Sequence, residues 1–327
     1  MPDLYLGIDT SNYKTSAAVI DGSNNIVFER SEYLEVPQGS RGLRQSDAFF
    51  RHSCRLPQYI DDLCQAVDIS EIRSAGVSSR PRRVEGSYMP CFLAGVNAAR
   101  EISAVLGIPL HEFSHQEGHA AAIIENSTAV SCSTSALLHL SGGTTELLVC
   151  RPDEEGYTLD IAGGTRDISV GQLLDRTGVA MGYPFPSGMY LDEMALSCRR
   201  SDVLPVTLPK VRINDGWFNL SGIETKVLRY IDNADEASYP EIARAVFGLI
   251  TDLLVRSIRY MIAEYDTETV YMAGGVSSSS FIRDKISGSL PDVQVIFGSP
   301  VLSGDNAVGT ARLARRIYES SNSNTVK

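Results

Sequence analysis

His115 and His119 stand four residues apart in Ser114-His115-Gln116-Glu117-Gly118-His119, and they are two of only five histidines in the chain. The alanines and aliphatics that follow, Ala120 to Ile124, predict a helix with Ser114 as its N-cap. On a helix an i,i+4 pair projects from one face, where two imidazoles can share one divalent cation such as zinc or iron. The same spacing also fits two polar histidines on a surface helix. A zinc-peptidase reading fails on one residue: that chemistry puts its glutamate directly after the first histidine, whereas Glu117 comes two after His115 and faces away. A third ligand has to come from elsewhere. Asp305, in Ser303-Gly304-Asp305-Asn306 ahead of the last helix, is the candidate by motif; its plainer reading is a helix N-terminal aspartate. His139 shares strand parity with Ser141, so both could face one cleft, or it is a buried strand histidine bonded to backbone.

Three turns carry a second kind of chemistry. Asp9 to Ser16, Ser141 to Thr145 and Gly274 to Ser280 each follow a short apolar run, and each is rich in glycine or hydroxyl residues. Such a turn aims several backbone N–H groups at one point, which suits phosphate oxygens. One alone is an ordinary tight turn, whereas three together point to a nucleotide cleft. Asp167, Gly171 and Asp175 lie four apart, which on a helix gives one face; a carboxylate there could accept hydrogen bonds from ribose hydroxyls, or the helix is simply capped and solvent-facing. Arg80, Arg82 and Arg83 form the densest basic cluster and read as a solvated loop.

These residues need elements to hold them. Leu4 to Ser11 and Thr15 to Ile20 read as a hairpin, 52–67 and 91–106 as helices, and Ala136 to Leu140 with Glu146 to Cys150 as a second hairpin around its own glycine turn. That second hairpin repeats the arrangement of the first twenty residues, a coarse internal duplication. Downstream come a long helix at 241–264, a buried strand at 269–273, a helix at 279–288, a strand at 293–297 and a last helix from about 306 to 318. The alternation makes the chain α/β. It resembles the two-lobed actin/sugar-kinase-like ATPase fold, with duplicated mixed-sheet domains around a nucleotide cleft. The expected domains are 1–128, carrying the histidine helix, and 129–327, with the last helix returning to the first lobe. The chain's 327 residues suit two domains, and 43% hydrophobic against 21% charged residues allows a core in each. Six scattered cysteines without a CxxC pair suggest reduced thiols and a cytoplasmic location. There is no run of 18 apolar residues, so no membrane association is expected. A net charge of -11 argues against broad autonomous binding to a polyanion, while leaving a local patch or a basic partner to bring nucleic acid in.

Taken in order, Gly7-Ile8-Asp9-Thr10-Ser11, His115-x-Glu117-Gly118-His119, Ser141-Gly142-Gly143-x-Thr145, Asp175 with Gly188, Phe218-x-x-Ser221-Gly222, Ala273-Gly274-Gly275-Val276 and Pro300-x-x-x-x-Asp305-Asn306-Ala307 resemble the TsaD family of tRNA threonylcarbamoyladenosine transferases, including its KEOPS-complex counterparts. The resemblance implies metal-dependent transfer of a threonylcarbamoyl group from threonylcarbamoyl-AMP to N6 of adenosine 37 in tRNA. It implies one divalent metal, iron or zinc, on His115, His119 and Asp305, with His139 where archaeal members use a tyrosine near the metal. It also implies an adenine nucleotide: Leu140, Ser141, Gly142, Gly143 and Thr144 along the phosphates, Asp175 and Gly188 at the nucleoside, Gly274 and Gly275 in the further turn, and Ser279 at the adenine end. Asp9, Ser11 and Lys14 fall at the reaction centre. The implied partners are tRNA and TsaB/TsaE-like or KEOPS-like proteins. The chain departs from the family pattern where Tyr13-Lys14 replaces Asp-Glu, Glu224 a lysine, Ile168 a second aspartate and Ser279 an asparagine. Those exchanges mark a divergent member. They leave two alternatives open: a carbamoyl or acyl transferase acting on another acceptor, and a non-catalytic nucleotide-binding partner of a TsaD-type enzyme.

Overall fold

The computed structural model describes residues 2–11, 13–35, 43–125, 134–154, 156–198, 206–299, 302 and 307–323. Asp305, most of the 127–135 stretch and the last four residues lie outside these. In chain order the elements begin β1 (Leu4–Asp9), β2 (Lys14–Asp21), β3 (Ile26–Tyr33), α1 (Gln45–Ala66), β4 (Ile72–Arg80), α2 (Phe92–Leu106), β5 (Leu110–Ser114) and α3 (His115–Ile124). They continue with β6 (Ser135–Leu140), β7 (Thr145–Asp153), β8 (Gly156–Thr165), α4 (Val170–Ala180), α5 (Gly188–Ser197), β9 (Trp217–Phe218) and α6 (Ser221–Asp232). The last are α7 (Tyr239–Tyr265), β10 (Thr269–Ala273), α8 (Ser280–Ser289), β11 (Gln294–Phe297) and α9 (Val308–Ser323). Contacts divide the chain into two compact units, one of Met1–Val130, Arg151–Leu159 and Gly304–Lys327, the other of Ser131–Cys150 and Asp160–Ser303.

The first unit is built on a five-stranded sheet in the order β3-β2-β1-β4-β5. The β1–β2 and β2–β3 pairs are antiparallel, and β4 and β5 continue parallel to β1. All six residues of β1 are buried, as a central strand covered on both faces requires. On one face Leu4, Leu6, Ile8, Val19 and Val77 pack with Leu56 and Leu63 of α1 and Val96 of α2. Each such aliphatic side chain taken out of water contributes about 1.5–3 kcal/mol. On the other face α9 lies directly against the strands: a methyl group at Gly7 or Gly76 would overlap backbone atoms of Ala307 or Thr310, and one at Gly309 would overlap the Gly118 carbonyl of α3. Glycine is used here for close approach.

The second unit's sheet runs β11-β10-β6-β7-β8-β9. Its strands β8-β7-β6-β10-β11 repeat the β3-β2-β1-β4-β5 order, with β9 added at the edge. The 27-residue α7 supplies Val246, Phe247, Ile250, Leu253, Leu254 and Ile258 to a core shared with Leu173, Leu191, Val227 and Ile282 of other helices, against Leu138, Leu140, Leu147, Val149 and Met272 of the sheet. No helix among the described residues is long and apolar enough to cross a membrane.

The structure corrects one expected element. Asp167 does not share a helix face with Gly171 and Asp175, because α4 starts at Val170 with Ser169 as N-cap in a capping box with Gln172. Asp167 lies in the preceding bend, where its carboxylate accepts from the backbone N–H groups of Ile168 (2.7 Å), Leu220 (2.8 Å) and Ser221 (3.0 Å). Burial alone would raise its pKa, yet these donors hold the carboxyl well below the usual range.

Candidate metal and nucleotide sites

In the first unit, α3 opens on a complete capping box. The Ser114 hydroxyl accepts from Glu117 N–H (3.2 Å), and the Glu117 carboxylate accepts from Ser114 N–H (2.8 Å) and its hydroxyl (2.7 Å). Glu117 is therefore spent on the helix end and on an ion pair with Arg83, whose guanidinium also reaches Asp153 at 3.0 Å. Arg83 is thus not part of a merely solvated loop.

The box fixes the start of the helix and with it the two histidines. His115 Nε2 and His119 Nε2 approach to 2.9 Å. The other His115 nitrogen, Nδ1, lies 2.7 Å from Oδ2 of Asp9, which is 1% exposed at the end of β1. The same oxygen accepts from the Ser78 hydroxyl of β4 at 2.5 Å, and Oδ1 accepts from Ser11 N–H at 2.8 Å. Beside this network, the fully buried His52 of α1 has Nδ1 2.8 Å from the Thr15 hydroxyl, and its Nε2 has no partner among the described residues. Burial pushes its pKa down to about 4, with nearby Asp9 pulling the other way. The Ser11 hydroxyl is likewise buried without a partner among the described residues. Lys14 closes the β1–β2 turn by donating its N–H to the Ser11 carbonyl (2.9 Å), and its ammonium sits 5.3 Å from the Tyr33 ring centre.

Two ligand bonds of about 2.0–2.1 Å meeting at 90–109° place their nitrogens about 2.8–3.4 Å apart. The His115–His119 separation falls in that range, so the pair fits a shared cation. No group of three histidine, cysteine, aspartate or glutamate side chains is arranged to hold a metal ion among the described residues, and Asp305 lies outside them.

In the second unit, the Ser141–Thr144 turn is drawn together by one hydroxyl: Ser141 Oγ accepts from Gly143 N–H (3.3 Å) and Thr144 N–H (3.0 Å). The start of α4 is pinned against it. Ser169 Oγ donates to the Gly142 carbonyl at 2.8 Å, Val170 N–H donates to Thr145 Oγ1 at 2.9 Å, and Gly171 has no room for a side chain beside the Ser141 carbonyl. A helix N-terminus beside a glycine turn favours an anion. Asp175 of α4 uses Oδ1 to accept from Ser187 N–H (2.8 Å) and Gly188 N–H (3.3 Å), and its Oδ2 faces Gly142. Gly142, Asp175 and Gly188 thus meet at one place. Leu140 is core, and its backbone crowds Gly274, which turns at φ 88° after β10. Gly275 opens the short turn that follows, and Ser279 caps α8 by accepting from Ile282 N–H (3.1 Å).

Sequence reasoning missed Asp192 of α5, which ties this region together. Its carboxylate accepts from the Ser279 hydroxyl (2.6 Å), Ser280 N–H (2.9 Å) and Phe281 N–H (3.2 Å) across 87 to 89 residues, and no local spacing signals such a contact. His139 is half-buried on β6, opposite Glu146 of β7 in the strand register. Glu224 of α6 pairs with Arg176 of α4 at 3.1 Å.

A family model described as TsaD, tRNA N6-adenosine threonylcarbamoyltransferase, matches residues 31–312. Proteins named tRNA N6-adenosine threonylcarbamoyltransferase from Streptococcus suis and Geobacillus thermodenitrificans are 29% and 28% identical, covering 98% and 97% of this chain and 94% and 92% of theirs. Among solved structures, HypF of T. kodakarensis superposes with a TM-score of 0.60 at 14% identity, over 97% of this chain and 48% of its own. A ROK family glucokinase from Streptomyces griseus gives 0.51 at 14% identity, over 96% and 99%. At such identities the likeness shows the fold, which is the actin/sugar-kinase-like ATPase fold.

Proposed function

Since the chain belongs to the TsaD family of tRNA N6-adenosine threonylcarbamoyltransferases, we propose that it transfers a threonylcarbamoyl group from threonylcarbamoyl-AMP to N6 of an adenosine in tRNA. The adenosine nitrogen attacks the carbamoyl carbonyl carbon and gives up one N–H proton to solvent, the bond from that carbon to the phosphate oxygen breaks, and AMP leaves. The chain's own contribution is placement and charge stabilisation. The Ser141–Thr144 turn and the α4 N-terminus would receive the phosphate. The Asp175 oxygen facing Gly142 would accept from a ribose hydroxyl, with Gly188 beside it and Ser279 towards the adenine. His115, His119 and Asp305 would hold a divalent cation, iron or zinc, which when bound supplies Lewis-acid polarisation of an oxygen. TsaB/TsaE-like or KEOPS-like proteins would be the partners.

The observation that carries this reading is the convergence of the two imidazole Nε2 atoms, 2.9 Å apart, on a helix whose start is doubly capped. The test uses protein purified without a histidine tag, comparing metal content and AMP binding in wild type and His115→Ala, followed by modification of unmodified tRNA with partner proteins present. Stoichiometric metal lost in the variant, AMP binding and modified tRNA are expected. Absence of both metal and nucleotide sinks the reading. Two features favour a second reading, the same chemistry on another acceptor: Glu224 is neutralised by Arg176 where the family has a lysine, and Lys14 lies over Tyr33 at the expected reaction centre. Metal and nucleotide binding without tRNA modification would select it.

A further inference from the structure

We infer that Asp9 is a positioning residue that fixes the tautomer of His115, an inference that rests on the cation reading above. Asp9 is 1% exposed, and its Oδ2 lies 2.7 Å from His115 Nδ1. A carboxylate only accepts, so the proton of this bond sits on Nδ1 and the lone pair of the ring sits on Nε2, the nitrogen that faces His119 at 2.9 Å. Carboxylate support of this kind sets ring orientation and raises ligand basicity at metal sites. The carboxylate is itself held at both oxygens, by the Ser78 hydroxyl on Oδ2 and by Ser11 N–H on Oδ1, so the ring has one orientation to adopt. Asp9, 1% exposed, therefore acts through His115.

Asp9→Asn is the informative change because its shape is conserved. With its oxygen kept toward Ser11 N–H, the new amide aims its NH2 at Ser78 and at His115 Nδ1. The ring must then accept at Nδ1 and carry its proton on Nε2, which cannot bind a cation. The opposite amide orientation sets two donors against each other at Ser11. The experiment labels the histidines with 15N and reads the His115 tautomer by NMR in metal-free protein, then measures Zn2+ and Fe2+ affinity. Wild type is expected in the Nδ1–H form, Asp9→Asn in the Nε2–H form, with metal affinity lower by about 10–100-fold. Ser78→Ala, which takes one hydrogen bond from Oδ2 but leaves the carboxylate facing Nδ1, keeps the wild-type tautomer while its metal affinity falls less than that of Asp9→Asn. An Asp9→Asn protein that keeps the Nδ1–H form and binds metal like wild type overturns the inference. So does a Ser78→Ala protein whose tautomer changes, which covers the case of an Asp9→Asn chain that does not fold. Wild type that binds no metal but shows the tautomer switch refutes the cation reading and leaves the role of Asp9 standing.

Discussion

Acidification from pH 7 to pH 4.5 is expected to remove about 2–3 kcal/mol of stability through His52 alone. His52 is fully buried, and its folded-state pKa of about 4 lies below the value of about 6.5 it has in an unfolded chain. Burial is the main cause, Arg55 adds to it, and Asp9 opposes it. Between these two values the unfolded chain takes up the proton and the folded one does not, so acid favours unfolding across that window. The loss begins near pH 6.5, reaches about 2.6 kcal/mol at pH 4.5 and levels off at about 3.4 kcal/mol below pH 4, from 2.5 units at about 1.36 kcal/mol each. His52→Gln keeps a group that can bond Thr15 but removes the titration. Urea unfolding followed by far-UV circular dichroism at pH 7 and 4.5, in wild type and variant, isolates His52 as the difference of two pH differences, because every carboxylate is common to both. A wild type and a variant with the same pH dependence would refute the argument.

Asp192→Ala removes one hydroxyl and two backbone donors' acceptor at the start of α8, and should cost about 2 kcal/mol; a melting point lowered by several degrees, with weaker AMP binding through Ser279, is the expected result. Lys14→Glu gives up a cation–aromatic contact of about 0.5–1 kcal/mol at a partly exposed position, so its melting point should barely move while the choice of acceptor in a transfer assay shifts toward that of the family. An unchanged acceptor preference would remove Lys14 from the reaction centre.

What the sequence revealed, it revealed through local patterns. Ser114 and Glu117 are three residues apart, and His115 and His119 four, so the cap and the paired imidazoles were readable from helical periodicity. The two hairpins were readable for the same reason: each is a strand, a turn rich in glycine or hydroxyl residues and a strand. The partners that organise the sites come from afar. Asp9 meets His115 across 106 residues, and Asp192 meets Ser279 across 87. A carboxylate of this kind has no periodic signature, and only the register of the sheets and the packing of helices decide what it faces. Asp167 shows the opposite error. The four-residue spacing was real, but the Ser169–Gln172 capping box is the stronger local signal and starts the helix three residues later.

The placement of α9 has a consequence for synthesis. The centre of the first unit's sheet, at Gly7 and Gly76, is covered by backbone from Ala307 and Thr310, and Gly118 of the histidine helix abuts Gly309. Strands β1 and β4 therefore wait for α9, which comes more than two hundred residues later in the chain, before one face of their sheet is closed. The second unit, encoded almost wholly in between, has its strands and helices available earlier. A nascent chain would expose β1 and β4 until α9 leaves the ribosome, and a cut that removed α9 would act on strands made long before it.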